Sequence, residues 1–509
     1  MVEAKKKGLV LRMLDGIERV GNRLPHPVTL FFILCLIVMG ASAIFASLGV
    51  QIEDPKKPGE MLAINSLLSM EGIAYIFKNM ITNFINFPPL GTVLVTMIGI
   101  GLAERTGLIG ACLRGLVTSV PRSLMTAALV FGGVMSSMAS DAGYVILTPL
   151  GAVLFAGLGR HPLAGLAAAF AGVSGGFSAN LLLTATDPLL GDLTIKAAAT
   201  LDPAYAEGMT LAMNWYFMIA SVFLLTIIGT FVTEKIVEPR LGEYKGEVTE
   251  EVNYLSKEEK RGLWGALISL IVTIGLLSLL VVPSWGPLRE GHADILTSPF
   301  MSSLVPVLLI FFFVPGFVYG VMTKEIKNDR DVTKQLNETM ASMGSFLVLA
   351  FFAGQFIAYF NYTNMGIVLA VRGAELIEGA GLSGIPLILM FIFVSGFINL
   401  FIGSASAKWA IMAPVFVPIM MQLGYSPELT QLVYRIADST TNVISPLMAY
   451  FAIIIAFAQK YDKNMGIGTL IATMLPYSIA FTIGWVIMLF VWMLTGIDIG
   501  PNAPIYYNN

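Results

Sequence analysis

The segment from 396 to 450 contains the residues with the clearest chemical potential. Within an otherwise apolar stretch it places a guanidinium, Arg435, three positions before a carboxylate, Asp438. On a helix this spacing puts both groups on one face. A carboxylate can bind a cation or a proton, and a guanidinium can hold a substrate carboxylate through two parallel hydrogen bonds. The alternative is a structural ion pair between Arg435 and Asp438 that only neutralises both charges.

Small polar side chains accompany this pair. The run 439–442 reads Ser-Thr-Thr-Asn, and Asn399 lies upstream of the pair. Side-chain oxygens and carbonyls freed at a helix break suit a hard cation such as sodium. For Asn399 the alternative is a hydrogen bond between two helices.

Ser404 and Trp409 lie between Asn399 and the charged pair. A tryptophan among small polar residues can stack on an aromatic ligand, and the alternative is an anchor at the membrane interface. Ser404 belongs to a small-residue run, for which close packing explains the pattern as well as ligand contact does. The chain has no HExxH pattern, and its GxSxG match, GVSGG at 172–176, lies in the glycine cluster expected to form the unwound turn of the first broken helix. We therefore expect no hydrolase and, more broadly, no enzyme.

The composition places these polar groups in a bilayer. Of 509 residues, 56% are hydrophobic and 12% are charged, whereas about 25% are charged in typical soluble domains. The net charge of −3 gives no indication of nucleic-acid binding, and the three histidines have no metal-ligand spacing. An ionisable residue at membrane depth costs about 2.5–3.5 kcal/mol on insertion scales, so it usually marks a substrate or ion path.

An internal repeat predicts where that path lies. Segment 136–190 matches segment 399–450 at an offset of 265 residues, and each reads as a helical hairpin followed by a broken helix. Paired broken segments in two halves indicate the binding site of a secondary transporter. Asp187, before Pro188, is the candidate acid of the first copy, and the alternative is a helix end exposed to water. The matched pairs are Tyr144/Trp409, Pro149/Pro414, Gly159/Gly424, Pro162/Pro427 and Ser174/Ser439.

We therefore expect an all-α polytopic membrane protein with an inverted two-fold repeat, about nine transmembrane helices and two re-entrant hairpins. Residues 63–87 are expected to form a surface helix or a broken span, and 362–383 a glycine-rich connection. Basic residues in the loops place the N-terminus on the cytoplasmic side. The predicted divisions are a cytoplasmic amphipathic N-terminus (1–26), a first membrane half (27–237), a cytoplasmic loop (238–262), a second half (263–496) and a tail (497–509).

Three stretches resemble the p-aminobenzoyl-glutamate transporter (AbgT) family. They are GNRLPHPVTLFF at 21–32, AGVSGGFSANLLLTATDPLLGDLT at 171–194, and the run from GSASAKWAIMAP to NVISPLM at 403–448. The resemblance spans nearly the full length. It implies a homodimeric transporter of the bacterial inner membrane, related to the wider ion-transporter superfamily, with sodium near Asn399 and Asp438. The family's functional positions map onto Asp187, Asn399, Ser404, Trp409, Pro427, Arg435, Asp438 and Pro446.

The expected function is ion-coupled, elevator-like secondary transport of p-aminobenzoyl-glutamate or a related aromatic carboxylate or antimetabolite. A benzoyl ring suits Trp409, and a glutamate carboxylate suits Arg435. The coupling ion is sodium, or a proton carried by Asp187 or Asp438, and no other cofactor is expected. The alternatives are proton-driven efflux of sulfonamide drugs and, in another class, a passive anion channel. The expected partners are a small-molecule substrate, the lipid bilayer and a second copy of the chain.

Overall fold

The computed structural model describes residues 27–53, 59–87, 89–139, 142–244, 254–290, 292, 295, 298–446, 448 and 450–507. The amphipathic N-terminus predicted for 1–26 lies outside the described residues. Residues 245–253 of the predicted cytoplasmic loop also lie outside the described residues.

The first half is helical apart from one small hairpin of strands, in which β1 (Gln51–Glu53) pairs antiparallel with β2 (Met61–Ala63). A 3₁₀ turn lies between α4 and α5 and another between α5 and α6, and π-helical turns end α7 and α10. The helices are α1 (Pro27–Ser47), α2 (Met70–Ile85), α3 (Pro89–Arg105), α4 (Leu108–Thr118), α5 (Met125–Met135), α6 (Ala142–Gly157), α7 (Pro162–Phe170), α8 (Thr186–Leu201), α9 (Pro203–Glu207), α10 (Trp215–Val232) and α11 (Glu238–Leu241).

The second half is also helical. Its longest helices are apolar over most of their length, whereas α15 is polar and begins with a capping box at Asn328. The helices are α12 (Lys257–Val281), α13 (Pro299–Ser302), α14 (Leu304–Met322), α15 (Asp329–Ser342), α16 (Gly344–Tyr362), α17 (Met365–Gly379), α18 (Gly384–Asn399), α19 (Ala405–Gln422), α20 (Pro427–Asn442), α21 (Phe451–Gln459) and α22 (Ile467–Thr495).

The predicted fold class, an all-α protein with many membrane spans, is confirmed. Among the described residues, seven helices are long and apolar enough to cross a bilayer. The pair α4–α5, bent by 116°, can supply an eighth. Helix α18 is apolar but only 16 residues long, or about 24 Å at 1.5 Å per residue, so the expected count of nine spans stays a prediction.

The helices form two layers. The outer helices, α1–α3, α12 and α14–α16, pack mainly on one another. The hairpin core consists of α6–α8 and α18–α20, where α6 packs on α7, α19 on α8 and α18 on α20. Helix α3 is one of the few outer helices that contact α8. The second hairpin therefore packs closely with α8, whereas the first hairpin meets α20 through the π-helical turn that ends α7.

The two hairpins have matching turns. Gly159 and Gly424 both have positive φ, at 71° and 84°, a backbone region that glycine enters without steric cost. Pro162 and Pro427 both occupy the first turn of the following helix, where the missing N–H of proline is no loss. These shared features explain why an offset of 265 aligns the two copies.

The chain breaks after each hairpin. In the first copy α7 passes into a π-helical turn at Ala171–Gly175, and the backbone is non-helical from 176 until α8 begins. Gly172 packs directly on Gly133 of α5, where an added Cβ would lie 3.0 Å from the Gly133 Cα. In the second copy α20 ends at Asn442, and Pro446 lies in the break before α21.

One of two predicted segments differs from the structure. Residues 362–383 are not only a glycine-rich connection, because they contain the 15-residue helix α17, which packs on α19. The glycines that suggested a loop lie at the ends of α17 and where α17 contacts neighbouring side chains. Residues 63–87 contain α2, which is followed closely by α3, as expected for a broken span.

The C-terminal segment 499–507 packs against the tip of the second hairpin. The Ser426 amide donates to the Ile505 carbonyl at 3.1 Å, and the Tyr507 amide donates to the Gly424 carbonyl at 3.0 Å. The Tyr507 hydroxyl donates to Asp202 at 2.7 Å. These contacts make the segment part of the folded protein rather than a loose tail.

Candidate functional site

Arg435 and Asp187 form an ion pair between the two halves of the chain. The Arg435 Nη1 donates to Asp187 Oδ1 at 2.7 Å, and Nη2 donates to the Ser178 carbonyl at 3.2 Å. Both side chains are almost fully buried, with 2% and 4% exposed. The structure thus joins the acid of the first broken helix to the guanidinium of the second.

The position of Asp187 follows from the local chain. It lies in the first turn of α8, where a carboxylate interacts favourably with the helix dipole. Its Oδ2 accepts hydrogen bonds from the Thr184 amide at 2.7 Å and the Thr184 hydroxyl at 3.0 Å. The alternative of a helix end exposed to water is wrong, since the residue is 3% exposed.

Asp438 pairs with Lys408 rather than with Arg435. The Lys408 ammonium lies 2.5 Å from Asp438 Oδ1 and also donates to Asn399 Oδ1. The Lys408 side chain is fully buried and the Asp438 side chain is 2% exposed. The predicted alternative of an Arg435–Asp438 ion pair is therefore wrong: helical spacing gave both groups one face, but each has its own partner.

Asn399 links the end of α18 to α20. Its Nδ2 lies within hydrogen-bonding distance of the Asp438 carbonyl at 2.9 Å, and of Thr441 Oγ1 and Asn442 Oδ1 at 2.8 Å each. These acceptors orient the amide so that Oδ1 faces the Lys408 ammonium. The helix–helix hydrogen bond expected as the alternative role of Asn399 is therefore present.

Trp409 is buried beside the charged pairs. Its ring stacks on Tyr434 with centroids 4.4 Å apart, and its Nε1 donates to Thr194 Oγ1 at 2.9 Å. No part of the side chain is exposed, which does not fit an anchor at the membrane interface. Trp409 and Tyr434 together form an aromatic wall next to Arg435.

Three other predicted site residues have structural positions. Ser404 is the N-cap of α19 and accepts a hydrogen bond from the Ala407 amide at 3.3 Å, which is a common helix-capping role. Pro427 begins α20 at the tip of the second hairpin. Pro446 lies in the break after α20. None of the contacts described here brings these three residues to the charged pairs.

Two buried polar atoms near Ser178 have no hydrogen-bond partner, Arg435 Nε and Asn180 Oδ1. Both side chains also donate to the same Ser178 carbonyl, Arg435 at 3.2 Å and Asn180 at 3.4 Å. An unsatisfied buried polar atom costs about 1–3 kcal/mol. The unpaired donor Arg435 Nε–H and the unpaired acceptor Asn180 Oδ1 therefore indicate a place where a polar ligand group can bind.

Two large cavities lie along the boundary of the hairpin core. The first, of about 670 Å³, is lined by Glu104, Tyr319 and Tyr450 among others. The second, of about 990 Å³, is lined by Asp192 and Pro306 among others. Neither is lined by Asp187 or Arg435, so neither cavity reaches the predicted substrate or ion path at that pair in this conformation.

The two cavities lie at opposite ends of the same helices. On α14, Pro306 lines the second and Tyr319 the first, a separation of about 20 Å at 1.5 Å per residue. On α3, Thr92 lines the second and Glu104 the first. The second cavity reaches α8 at Asp192, whereas the first reaches the second helix break at Tyr450. The cavities thus approach the broken helices from two ends.

Sequence reasoning did not select several residues of this polar network. Lys408, which directly precedes Trp409, is one of them, although a lysine in an apolar hairpin is itself a signal of function. Thr194 donates to Gln431, Gln431 donates to Asn214 at 3.0 Å, and Asn214 donates to the Glu428 carbonyl at 2.9 Å. On α20, spacings of three and four residues could have placed Gln431 on the face of Arg435 and Asp438.

Buried charges paired across two broken helices, with a cavity at each end of the neighbouring helices, are typical of a membrane transporter. A family model described as the AbgT putative transporter family matches residues 12–507. The chain belongs to this family, and it is a membrane transporter rather than an enzyme.

Similar proteins cover almost the whole chain. The p-aminobenzoyl-glutamate transport protein of Escherichia coli (strain K12) is 39% identical over 492 residues, covering 96% of each chain. The solved YdaH transporter of Alcanivorax borkumensis is 41% identical with a TM-score of 0.89, covering 94% of this chain and 100% of its own. Neisseria gonorrhoeae MtrF, whose structure is described as illuminating a class of antimetabolite efflux pumps, is 46% identical with a TM-score of 0.90, covering 97% and 100%.

Proposed function

We propose that this protein is a secondary active transporter of p-aminobenzoyl-glutamate or a related aromatic carboxylate. Transport is coupled to an ion gradient and proceeds by an elevator-like movement of the hairpin core. The observation that carries the proposal is the buried Arg435–Asp187 pair, with an open donor on Arg435 and an open acceptor on Asn180 beside it. The name of the Escherichia coli relative supports this choice of substrate.

Arg435 is the proposed ligand of a substrate carboxylate. In the structure Asp187 occupies one side of the guanidinium, and the Nε–H has no acceptor. A substrate carboxylate can take Nε–H and one Nη–H as a bidentate pair, either beside Asp187 or in its place. A substrate carboxylate adds a negative charge that the Arg435–Asp187 pair does not neutralise, and the coupling cation or proton is the proposed source of the balancing positive charge.

The aromatic wall is the proposed surface for the benzoyl ring. Trp409 and Tyr434 already stack on each other, and Tyr434 is the direct chain neighbour of Arg435. The ring of an aromatic acid bound at Arg435 is therefore proposed to pack toward Tyr434, on the adjacent face of α20. Offset stacking adds about 0.5–1.5 kcal/mol beyond burial of the ring.

The two cavities are the proposed access routes. Each runs between outer helices and the hairpin core, at opposite ends of α3 and α14. Movement of the hairpin core along these helices would open the buried site to one cavity at a time. We further propose a homodimer in the bacterial inner membrane with the N-terminus in the cytoplasm, because the basic residues of the loops favour that orientation.

Uptake of labelled p-aminobenzoyl-glutamate into proteoliposomes tests the proposal, with sodium and pH gradients imposed separately. We expect saturable uptake driven by one of the gradients, and exchange of internal for external substrate. Flux that does not saturate and shows no such exchange would instead identify a passive channel. Absence of uptake under both gradients would contradict the proposed substrate.

Sulfonamide efflux is the second candidate, and similarity to MtrF favours it. Growth of a sensitive strain on sulfonamide, with and without the gene, distinguishes it from uptake of a folate-related carboxylate. Resistance that depends on the gene and persists with the Arg435→Gln variant would favour efflux of a ligand without a carboxylate. Because Arg435→Gln also destabilises the protein, the loss is read in the double variant Asp187→Asn with Arg435→Gln, where loss of resistance would place both ligands at one site.

A further inference from the structure

The resemblance to the family implies sodium near Asn399 and Asp438, but the side chains there already hold a cation. Asn399 Oδ1 and Asp438 Oδ1, which would be the oxygen ligands of sodium, both accept from the Lys408 ammonium. Lys408 has no exposed surface. An ion between these two oxygens would occupy the same space as the Lys408 Nζ, so the residues present do not fit a sodium ion in this arrangement.

The two acids nearest this point already have counter-charges. Asp187 with Arg435 and Asp438 with Lys408 are two neutral pairs. Sodium could enter between Asn399 and Asp438 only by displacing the Lys408 ammonium, which would leave that buried cation without its carboxylate. The presence of Lys408 therefore disfavours sodium at this point.

The surroundings of Lys408 match the donors of an ammonium group. An ammonium has three N–H donors. Two of them meet Asn399 and Asp438, and the nitrogen lies 5.3 Å from the centre of the Tyr434 ring, within range of a cation–π interaction. The side-chain amide of Asn399 is turned toward the ammonium by its three acceptors on α20. The pocket is therefore built around a cation that belongs to the chain.

We propose that the Lys408 ammonium is the resident cation of this site and takes the place of sodium. As a positioning residue it holds α19 to α18 and α20 and prevents sodium from binding between Asn399 and Asp438. Removal of the ammonium opens a site for a small monovalent cation. The inference rests on the proposed function, because the role of sodium matters only in ion-coupled transport. Its test does not require a transport measurement.

The test compares thermal stability of the full-length protein in detergent, in sodium, potassium and choline chloride at equal ionic strength. We expect the wild-type melting temperature to be the same in all three salts. Lys408→Ala leaves Asp438 unpaired, so we expect lower stability overall and a melting temperature higher by about 2 °C or more in sodium than in choline. If Lys408→Ala folds only in sodium, the yield of monodisperse protein supplies the same comparison.

Two matched variants separate ion binding from general destabilisation. Lys408→Ala with Asp438→Asn removes both charges, and we expect no difference among the salts. Lys408→Arg keeps a cation, and we expect it to be as insensitive to sodium as the wild type. If Lys408 has only a structural role, each variant will lose the same thermal stability in all three salts. That result would overturn the proposal.

The wild type supplies the other decisive outcome. Stabilisation of the unmodified protein by sodium over both potassium and choline would show that sodium binds with Lys408 present, which contradicts the proposal. Failure of p-aminobenzoyl-glutamate uptake would leave these stability results unchanged, because they need no substrate. The two proposals can therefore fail independently.

Discussion

At the scale of single residues, the main feature is that four buried charges form two pairs across elements. Sequence reasoning selected Asp187, Arg435 and Asp438 because ionisable residues in an apolar chain are rare and costly. It could not assign their partners, because spacing along one helix says nothing about contacts made 248 or 30 residues away. Lys408 was missed as a partner for the same reason.

The Asp187–Arg435 pair gives a first prediction. Arg435→Gln leaves Asp187 buried without a counter-charge, and breaking a buried pair costs about 3–5 kcal/mol. The double variant Asp187→Asn with Arg435→Gln removes both charges, so we expect it to recover most of that stability while transport stays lost. Thermal melting and proteoliposome uptake measure the two effects. Uptake by the double variant at the wild-type level would show that Arg435 does not bind substrate.

His161 gives a prediction about pH at the tip of the first hairpin. Burial lowers the pKa of His161 from its ordinary value of 6.5, while Glu238 and Asp462 act in the opposite direction. The folded protein then binds fewer protons than the unfolded chain, so this contribution to stability is complete above pH 6.5 and is lost as the pH falls through the folded pKa. Protonation also removes the acceptor for the Leu163 amide, now at 3.2 Å.

We therefore expect the wild-type melting temperature to fall more steeply between pH 7 and pH 5 than that of His161→Asn. Asparagine can cap the helix in the same position but does not titrate. Equal slopes for the two proteins would show that His161 contributes nothing to the pH dependence.

At the scale of elements, the hairpin turns were the most predictable part. Glycine and proline fix local backbone geometry, so Gly159, Pro162 and their partners at an offset of 265 identified both hairpins before any contact was known. Helix α17 was missed because its glycines suggested a loop, and tertiary packing on α19 decides its structure instead. The C-terminal contacts involve backbone atoms, which leave little trace in residue types.

A pair of glycine substitutions tests the turn of the first hairpin. Gly159 has a φ of 71° and open space around its Cα, so Gly159→Ala is opposed only by the left-handed backbone, at about 1–2 kcal/mol. Gly157 also has open space but lies at the end of α6 without a positive φ. We expect unfolding in detergent to show a loss of stability for Gly159→Ala and no loss of stability for Gly157→Ala. Equal stability of the two variants would mean that the turn relaxes without cost.

At the scale of the whole molecule, the boundary between outer helices and hairpin core determines what can move. Thr92 of α3 donates to Asp192 of α8 at 2.6 Å across this boundary, beside the second cavity. The sequence predicted two repeated halves, yet the outer helices come from both halves. Their grouping depends on which helix faces pack together, and nearly uniform apolar helices do not reveal those faces.

A covalent link across this boundary tests the elevator-like movement. With Cys35 and Cys112 replaced by alanine, Thr92→Cys and Asp192→Cys introduce two thiols where the native side chains touch. We expect a short bifunctional thiol reagent to abolish uptake in the double variant, and neither single variant to be affected by the reagent. Full uptake after complete crosslinking would show that α3 and α8 keep their relative position during transport.

The contact between residues 499–507 and the second hairpin has a consequence for biosynthesis. Ribosomes make the chain from the N-terminus, so Gly424 and Ser426 enter the membrane before the segment that satisfies their backbone groups exists. An unpaired carbonyl and amide at this tip must meanwhile stay near water or another acceptor and donor. The tip of the second hairpin therefore acquires these backbone hydrogen bonds only after translation has passed residue 507.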